Sequence, residues 1–210
     1  MKPCLRTSAT DVAHEHIPVS RRCTIPTLLL SLVCVAMSAC AEVEPPATTR
    51  GVDQAAVNAL RKSAEQGNAT AQNRLGLLYN QGQGVPQDRM LAKQWFEKAA
   101  EQGDAGAQVN LGTLYLLGQG ALESDQMALF WFRRAAAQHE ALAFAKLGFM
   151  YERGRGVPQD VIQAYMWYSL SAAQGEKRAV ESRERLARQM TPAQVAAAQQ
   201  LAREWKPKPK

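Results

Sequence analysis

Residues 75–95 read LGLLYNQGQGVPQDRMLAKQW, and the pattern returns twice at a spacing of 36 residues. Residues 111–131 read LGTLYLLGQGALESDQMALFW, and residues 147–167 read LGFMYERGRGVPQDVIQAYMW. Leu75, Gly76, Tyr79, Gly82, Gly84, Ala92 and Trp95 therefore have in-register echoes at Leu111, Gly112, Tyr115, Gly118, Gly120, Ala128 and Trp131, and again from Leu147 to Trp167. A fixed period between about 20 and 50 residues marks a stacked repeat array, in which each unit buries its apolar face against its neighbours.

Within one copy the apolar spacing is helical. Ala71, Leu75 and Tyr79 share one face, and Ala92, Trp95 and Ala99 share another. Between them, Gly82 and Gly84 permit a positive φ, and Pro86 stops the first helix from continuing. Asp88 and Asp160 are placed to cap the second helix, and Gly103-Asp104 and Gly67-Asn68 to end one helix and start the next. The unit is a helical hairpin. Gly76, Gly112 and Gly148 fall mid-helix, where glycine costs about 1 kcal/mol relative to alanine. A penalty repeated at every period predicts a close backbone approach between the two helices of the hairpin. The recurring Trp95, Trp131 and Trp167, and the tyrosines, are read as core wedges rather than as ligand-stacking platforms.

The run from Leu75 to Trp95, with the Val85-Pro86-Gln87-Asp88 turn, resembles the Sel-one-like repeat (SLR) family, a relative of the tetratricopeptide repeat. Residues 147–167 match it at every signature position. The middle copy departs, with Ala121-Leu122-Glu123-Ser124 in the turn and His139 in place of the closing glycine. The resemblance implies an all-α, right-handed α-solenoid of helical hairpins over residues 52–206. Its parts are a half repeat at 53–67, full repeats at 68–103, 104–139 and 140–175, and capping helices at 177–189 and 192–205. For the last helix Thr191, Pro192 and Gln194 spell a capping box, with Met190 and Val195 as a hydrophobic staple. Residues 207–210 complete a basic tail.

Residues 1–40 are set apart from the fold as a signal peptide. Arg21-Arg22 precede an apolar run from Ile25 to Met37, too short to span a hydrocarbon core of about 30 Å. Met37-Ser38-Ala39-Cys40 resembles a bacterial lipobox, which implies acylation of Cys40 and anchorage to the membrane. Ala41, standing where an aspartate would signal inner-membrane retention, implies the periplasmic face of the outer membrane. The alternative is an ordinary secretory signal cut after Ala39, giving a soluble periplasmic or secreted protein. Residues 41–51 form a short proline-containing linker.

The four cysteines, Cys4, Cys23, Cys34 and Cys40, all precede the repeats, so the repeats hold neither a disulfide framework nor a cysteine-rich metal site. His139 is the one histidine after the leader, and at a helix end it reads as a cap rather than as a catalytic base. No phosphate-binding glycine loop or zinc-protease motif occurs. No cofactor and no metal are expected. Of the net charge of +6, the whole surplus lies from Lys177 onward, and it reads as a solvated surface rather than a nucleic-acid site.

What the architecture offers is a concave surface built from the first helices of successive hairpins. Opposite the packing face lie Asn73, Arg74, Leu77 and Gln81; Val109, Asn110, Thr113 and Leu117; and Ala145, Lys146, Phe149 and Arg153. These differ between copies while the packing positions do not, so scaffold and reader separate within one chain. Leu77, Val109 and Phe149 would be apolar anchors, and Asn73, Asn110 and Lys146 would bind a peptide backbone or a carboxylate, unless some of them pack on the neighbouring hairpin. The expected function is a non-catalytic protein- or peptide-binding scaffold of the cell envelope. The alternatives are an envelope hydrolase or β-lactam-interacting protein, as implied by cysteine-rich relatives whose paired cysteines are missing here, and a passive spacer.

Overall fold

The computed structural model describes residues 53–207. The leader, Cys40, the linker and the end of the tail lie outside the described residues. Nine helices follow one another among the described residues: α1 (Gln54–Glu65), α2 (Ala69–Gln81), α3 (Arg89–Glu101), α4 (Ala105–Leu117), α5 (Asp125–Ala136), α6 (Ala141–Arg153), α7 (Val161–Ala173), α8 (Lys177–Ala187) and α9 (Pro192–Glu204). From α1 to α8 each packs on the next, the pairs α2–α3, α4–α5 and α6–α7 forming the hairpins. The protein is an all-α solenoid.

The turn inside each hairpin is the same in all three copies. Gly82, Gly118 and Gly154 end the first helix in the left-handed region, with φ of 70°, 64° and 65°. The chain then doubles back, and Asp88, Ser124 and Asp160 donate their backbone N–H to Tyr79, Tyr115 and Tyr151 carbonyls at 2.9, 2.9 and 3.0 Å. Ser124 caps α5 by accepting from Met127 N, as Asp88 caps α3 by accepting from Leu91 N. The altered turn sequence of the middle copy removes one bond only. Gln87 and Gln159 donate to the Asn80 and Glu152 carbonyls, whereas Glu123, lacking a donor, turns to Arg155.

The close approach inferred for the mid-helix glycines is real, and its nearest partner is a ring in each copy; at Gly112 the Ala128 backbone oxygen of α5 also comes within 3.2 Å of the Cβ position. A Cβ at Gly76 would lie 2.7 Å from the Phe96 ring, at Gly112 2.7 Å from Phe132, and at Gly148 2.7 Å from Tyr168. These rings fill the hairpin interior, and Phe96 and Phe132 are fully buried. The tryptophans one residue earlier act between hairpins instead. Trp95 packs on the α1–α2 cluster, Trp131 on the α3–α4 cluster and Trp167 on the α5–α6 cluster. Only Trp131 is buried; Trp95 and Trp167 are half-buried. The tyrosines are half-buried too, and their hydroxyls engage the preceding second helix. Arg61 donates to Tyr79, Tyr115 to Glu97 and Arg133 to Tyr151.

Stacking of the repeats is also periodic. The second turn glycine of the second and third copies lies over the start of the previous second helix. A Cβ at Gly120 would come within 2.4 Å of the Arg89 carbonyl oxygen, and one at Gly156 within 3.0 Å of that of Asp125. Two buried glutamines repeat one motif. Gln72 donates to the Ala64 carbonyl and accepts from Gln102, while Gln108 donates to the Ala100 carbonyl and accepts from Gln138. A buried amide with both ends satisfied specifies register as well as stability.

The third copy puts Phe144 where the glutamine would stand, and the last helix uses the change. The capping box at Thr191 forms as expected, with Pro192 in the first turn. α9 lies against α7. From its end Trp205 meets Phe144, His139 and Trp167 edge-on, at centroid distances of 5.1, 5.4 and 5.7 Å. His139 is the one non-glycine residue with positive φ among the described residues, at 61°, where the neighbouring copies have Gly103 and Gly175. It serves as a helix end and as a wall of this aromatic cluster.

Candidate functional site

The first helices of the repeats expose residues on one side of the array because their opposite side carries the packing set: Leu75, Leu111 and Leu147 are fully buried. The twelve sequence-selected positions divide into three groups. Arg74, Gln81 and Arg153 are exposed and make no described side-chain bond. A second group serves the scaffold. Val109 is 5% exposed and packs with Phe144 and Leu147 of the next hairpin, so it belongs to the core and not to the surface. Thr113 donates its hydroxyl to the Val109 carbonyl at 2.8 Å. Asn73 donates to Asp104, the cap of α4, at 3.0 Å, and Asn110 donates to Asn73 at 2.9 Å. The two asparagines thus bridge α2 and α4, rather than standing free for a peptide backbone. Leu77 is half-buried against the core of the first two repeats.

The third group is gathered in one place. Leu117, Ala145, Lys146 and Phe149 line a cleft of about 370 Å³ together with Leu116, Leu142, Arg155, Tyr168, Glu176, Arg178, Ala179 and Ser182. It spans α4, α6 and α8, the first helices of successive units. Leu117 and Leu142 are 53% and 46% exposed there, two of the few large apolar side chains facing solvent. Leu142 and Arg178 escaped the sequence reading, although the period connects them: Arg178 stands 36 residues after Leu142, and Ser182 36 after Lys146. Treating α8 purely as a cap hid its contribution to the surface.

The charges around this cleft are unequal in status. Arg155 donates to Asp125 and Glu123, and these bonds hold its guanidinium above its ordinary pKa. Arg185 pairs with Glu152 across α6 and α8. Lys146 has no such partner among the described residues. Burial pushes its ammonium below the usual lysine value, and the nearby Arg178 pushes it further down.

A second cleft, of about 530 Å³, lies between α5, α7 and α9, walled by Trp167, Trp205, Met166 and Leu201 with Arg133 and Glu204 at its edge. It is a consequence of α9 lying across α7. Among the described residues no cluster of His, Cys, Asp and Glu side chains is placed to hold a metal ion, and no helix is long and apolar enough to cross a membrane.

With repeat geometry and the exposed face in hand, comparison with known proteins fixes the family. The sequence model of the Sel1 repeat matches residues 69–104, 105–139 and 141–176, one match for each hairpin. The chain belongs to the Sel1 repeat family. Among solved structures it is similar to a Sel1 repeat protein from Oxalobacter formigenes, with 38% identity and a TM-score of 0.58 over 62% of this chain. It is also similar to c5321, a protective antigen present in uropathogenic Escherichia coli strains that displays an SLR fold, with 30% identity and a TM-score of 0.54 over 71% of this chain. The match covers 52% of the first protein and 40% of the second, so this chain spans about half or less of their length. No curated protein shows significant similarity to it. Sel1 repeats generally form non-catalytic scaffolds that mediate protein–protein interaction.

Proposed function

We propose that this Sel1 repeat protein is a non-catalytic scaffold of the bacterial envelope that binds a protein or peptide on its first-helix face. One observation carries the reading. The positions that repeat across the three copies are occupied in packing, while four of the twelve selected positions that differ, Leu117, Ala145, Lys146 and Phe149, meet at a cleft of about 370 Å³. A cleft of that size, apolar with a few polar groups, is typical of binding sites.

The envelope part of the reading rests on sequence. The charged start at Arg21-Arg22, the apolar run and the lipobox-like end at Cys40 favour export and acylation, with Ala41 favouring the outer membrane. Two or more acyl chains on Cys40 would anchor the protein stably, where one would not.

Two experiments test the two halves. A photocrosslinking residue at Leu117 in living cells is expected to give a discrete protein adduct that is absent when the same residue replaces Gln94, exposed on α3. The adduct should disappear with Phe149→Asp; a protein giving no adduct at Leu117 would not be a scaffold of this kind. Labelled palmitate should enter the wild type and not Cys40→Ala. Equal labelling of the two would remove the anchor.

A further inference from the structure

We propose that the cleft between α4, α6 and α8 receives the free C-terminus of a polypeptide whose last side chain is apolar. Lys146 and Arg178 hold the terminal carboxylate, and Leu117, Leu142 and Phe149 surround the side chain. The inference rests on the protein-binding reading above and gives it a ligand chemistry.

The charge pattern comes first. Among the described residues the salt bridges engage Lys93, Arg155 and Arg185, each with a carboxylate partner. Lys146 is half-buried and has none, and the charged neighbour that acts on it is another cation, Arg178. Glu176 stands in the cleft wall but is not among the groups acting on Lys146. Of the three cations lining the cleft, Arg155 is held by Asp125 and Glu123, whereas Lys146 and Arg178, without a carboxylate partner among the described residues, repel each other until an anion bridges them. A carboxylate does so well, since the Arg178 fork can take both oxygens while the Lys146 ammonium adds a point charge.

The surroundings narrow the anion. The neighbouring walls are Leu117, Leu142 and Phe149, so the ligand must bring hydrocarbon close to its charge. Lys146 and Phe149 are three residues apart on α6, which places their Cβ atoms about 5–6 Å apart on one face. A chain-terminal residue carries its carboxylate and its side chain on a single Cα, and therefore presents both groups within that distance. A phosphate backbone or a run of acidic side chains would put charge against leucine and phenylalanine.

The test uses the purified protein and the fluorescein-labelled peptide Gly-Gly-Gly-Leu, as the free acid and as its C-terminal amide, read by fluorescence anisotropy. The free acid is expected to bind about tenfold more tightly than the amide, as loss of a charge-assisted pair requires. Lys146→Gln and Arg178→Gln should each weaken the acid about fivefold or more and leave the amide unchanged, while Lys146→Arg retains most of the affinity. Arg178 is exposed, so its variant stays informative even if Lys146→Gln perturbs packing. Equal binding of acid and amide overturns the proposal, as does no binding of the acid at about 1 mM. Decanoate binding more tightly than the peptide also overturns it, in favour of a fatty acid. If the adduct at Leu117 forms in cells and survives both Lys146→Gln and Arg178→Gln, this inference fails while the scaffold reading stands. If no adduct forms in any protein, the scaffold reading itself fails.

Discussion

Arg185 grips Glu152 with both ends of its guanidinium, Nη1 donating to Oε1 at 2.7 Å and Nη2 to Oε2 at 3.0 Å. The Tyr168 hydroxyl donates to the same carboxylate at 2.9 Å, so one acid on α6 ties together α7 and α8. Burial alone would raise the Glu152 pKa, but the bonds from Arg185 and Tyr168 outweigh it and hold the carboxyl below its usual range. The charged form is therefore the one that favours folding. Its contribution is complete above the unfolded carboxylate value of about 4.3 and is lost as pH falls through the depressed folded value. Glu152→Gln should cost about 1–3 kcal/mol near neutral pH, below the figure for a fully buried pair because Arg185 is 43% exposed. The difference in urea midpoint between wild type and Glu152→Gln should shrink towards zero in acid. A difference independent of pH would show that the charge is not the source.

The turn glycines separate strain from contact. Gly103 has φ of 96° and open space around the position of a Cβ, whereas Gly120 has φ of 72° and the Arg89 carbonyl oxygen 2.4 Å from that position. Gly103→Ala should cost about 1 kcal/mol, the backbone term alone. Gly120→Ala adds a clash with backbone that a neighbouring repeat cannot easily move, for a total of about 3 kcal/mol. Chemical denaturation of the two variants checks the ranking. Equal losses would mean that the turn does not need to sit against α3.

The contrast explains which parts of the chain were legible in advance. Caps and turns were, because Asp88, Asn68 and Thr191 act within three residues of themselves and their chemistry is local. The period also announced that Gly76 meets something close, but not that it meets the Phe96 ring, since both are long-range partners of one hairpin. The surface was harder still. Asn73 and Asn110 differ between copies as binding residues would, yet they bridge repeats, because variation at a position does not reveal whether its neighbour has varied to match. Leu117, Lys146 and Phe149, chosen from the sequence, line one cleft, and carrying the period into α8 would have added Arg178 to them.

The asparagine bridge is testable as a coupled pair. Asp104 Oδ1 accepts from Ala107 N at 2.7 Å and from Asn73 Nδ2 at 3.0 Å, so one atom is both helix cap and inter-repeat tie. Asp104→Ala should cost about 1–2 kcal/mol. Asn73→Ala should cost about 1 kcal/mol, and the double variant less than the sum by about 0.5–1 kcal/mol. Strict additivity in the denaturation cycle would show the cap and the tie to be independent.

The last prediction concerns what fastens α9. Trp205 touches three rings edge-on, while His139 touches Trp205 at 5.4 Å from a strained backbone position with φ of 61°. Trp205→Ala removes all three contacts and should cost about 2–3 kcal/mol, less than for a fully buried tryptophan because this one is half-buried. The amides of residues 193–204 should then exchange faster while those of α2 to α5 keep their protection, since the loss falls on one end of a nearest-neighbour array. His139→Gly should behave differently. It relieves about 1 kcal/mol of left-handed strain and forfeits edge contacts with Trp205 and Phe144 that together are of similar size, so its net effect should stay within about 0.5 kcal/mol. If His139→Gly instead loosened α9 as much as Trp205→Ala does, the histidine would be the anchor, and the stack on Phe144 and Trp167 would be incidental.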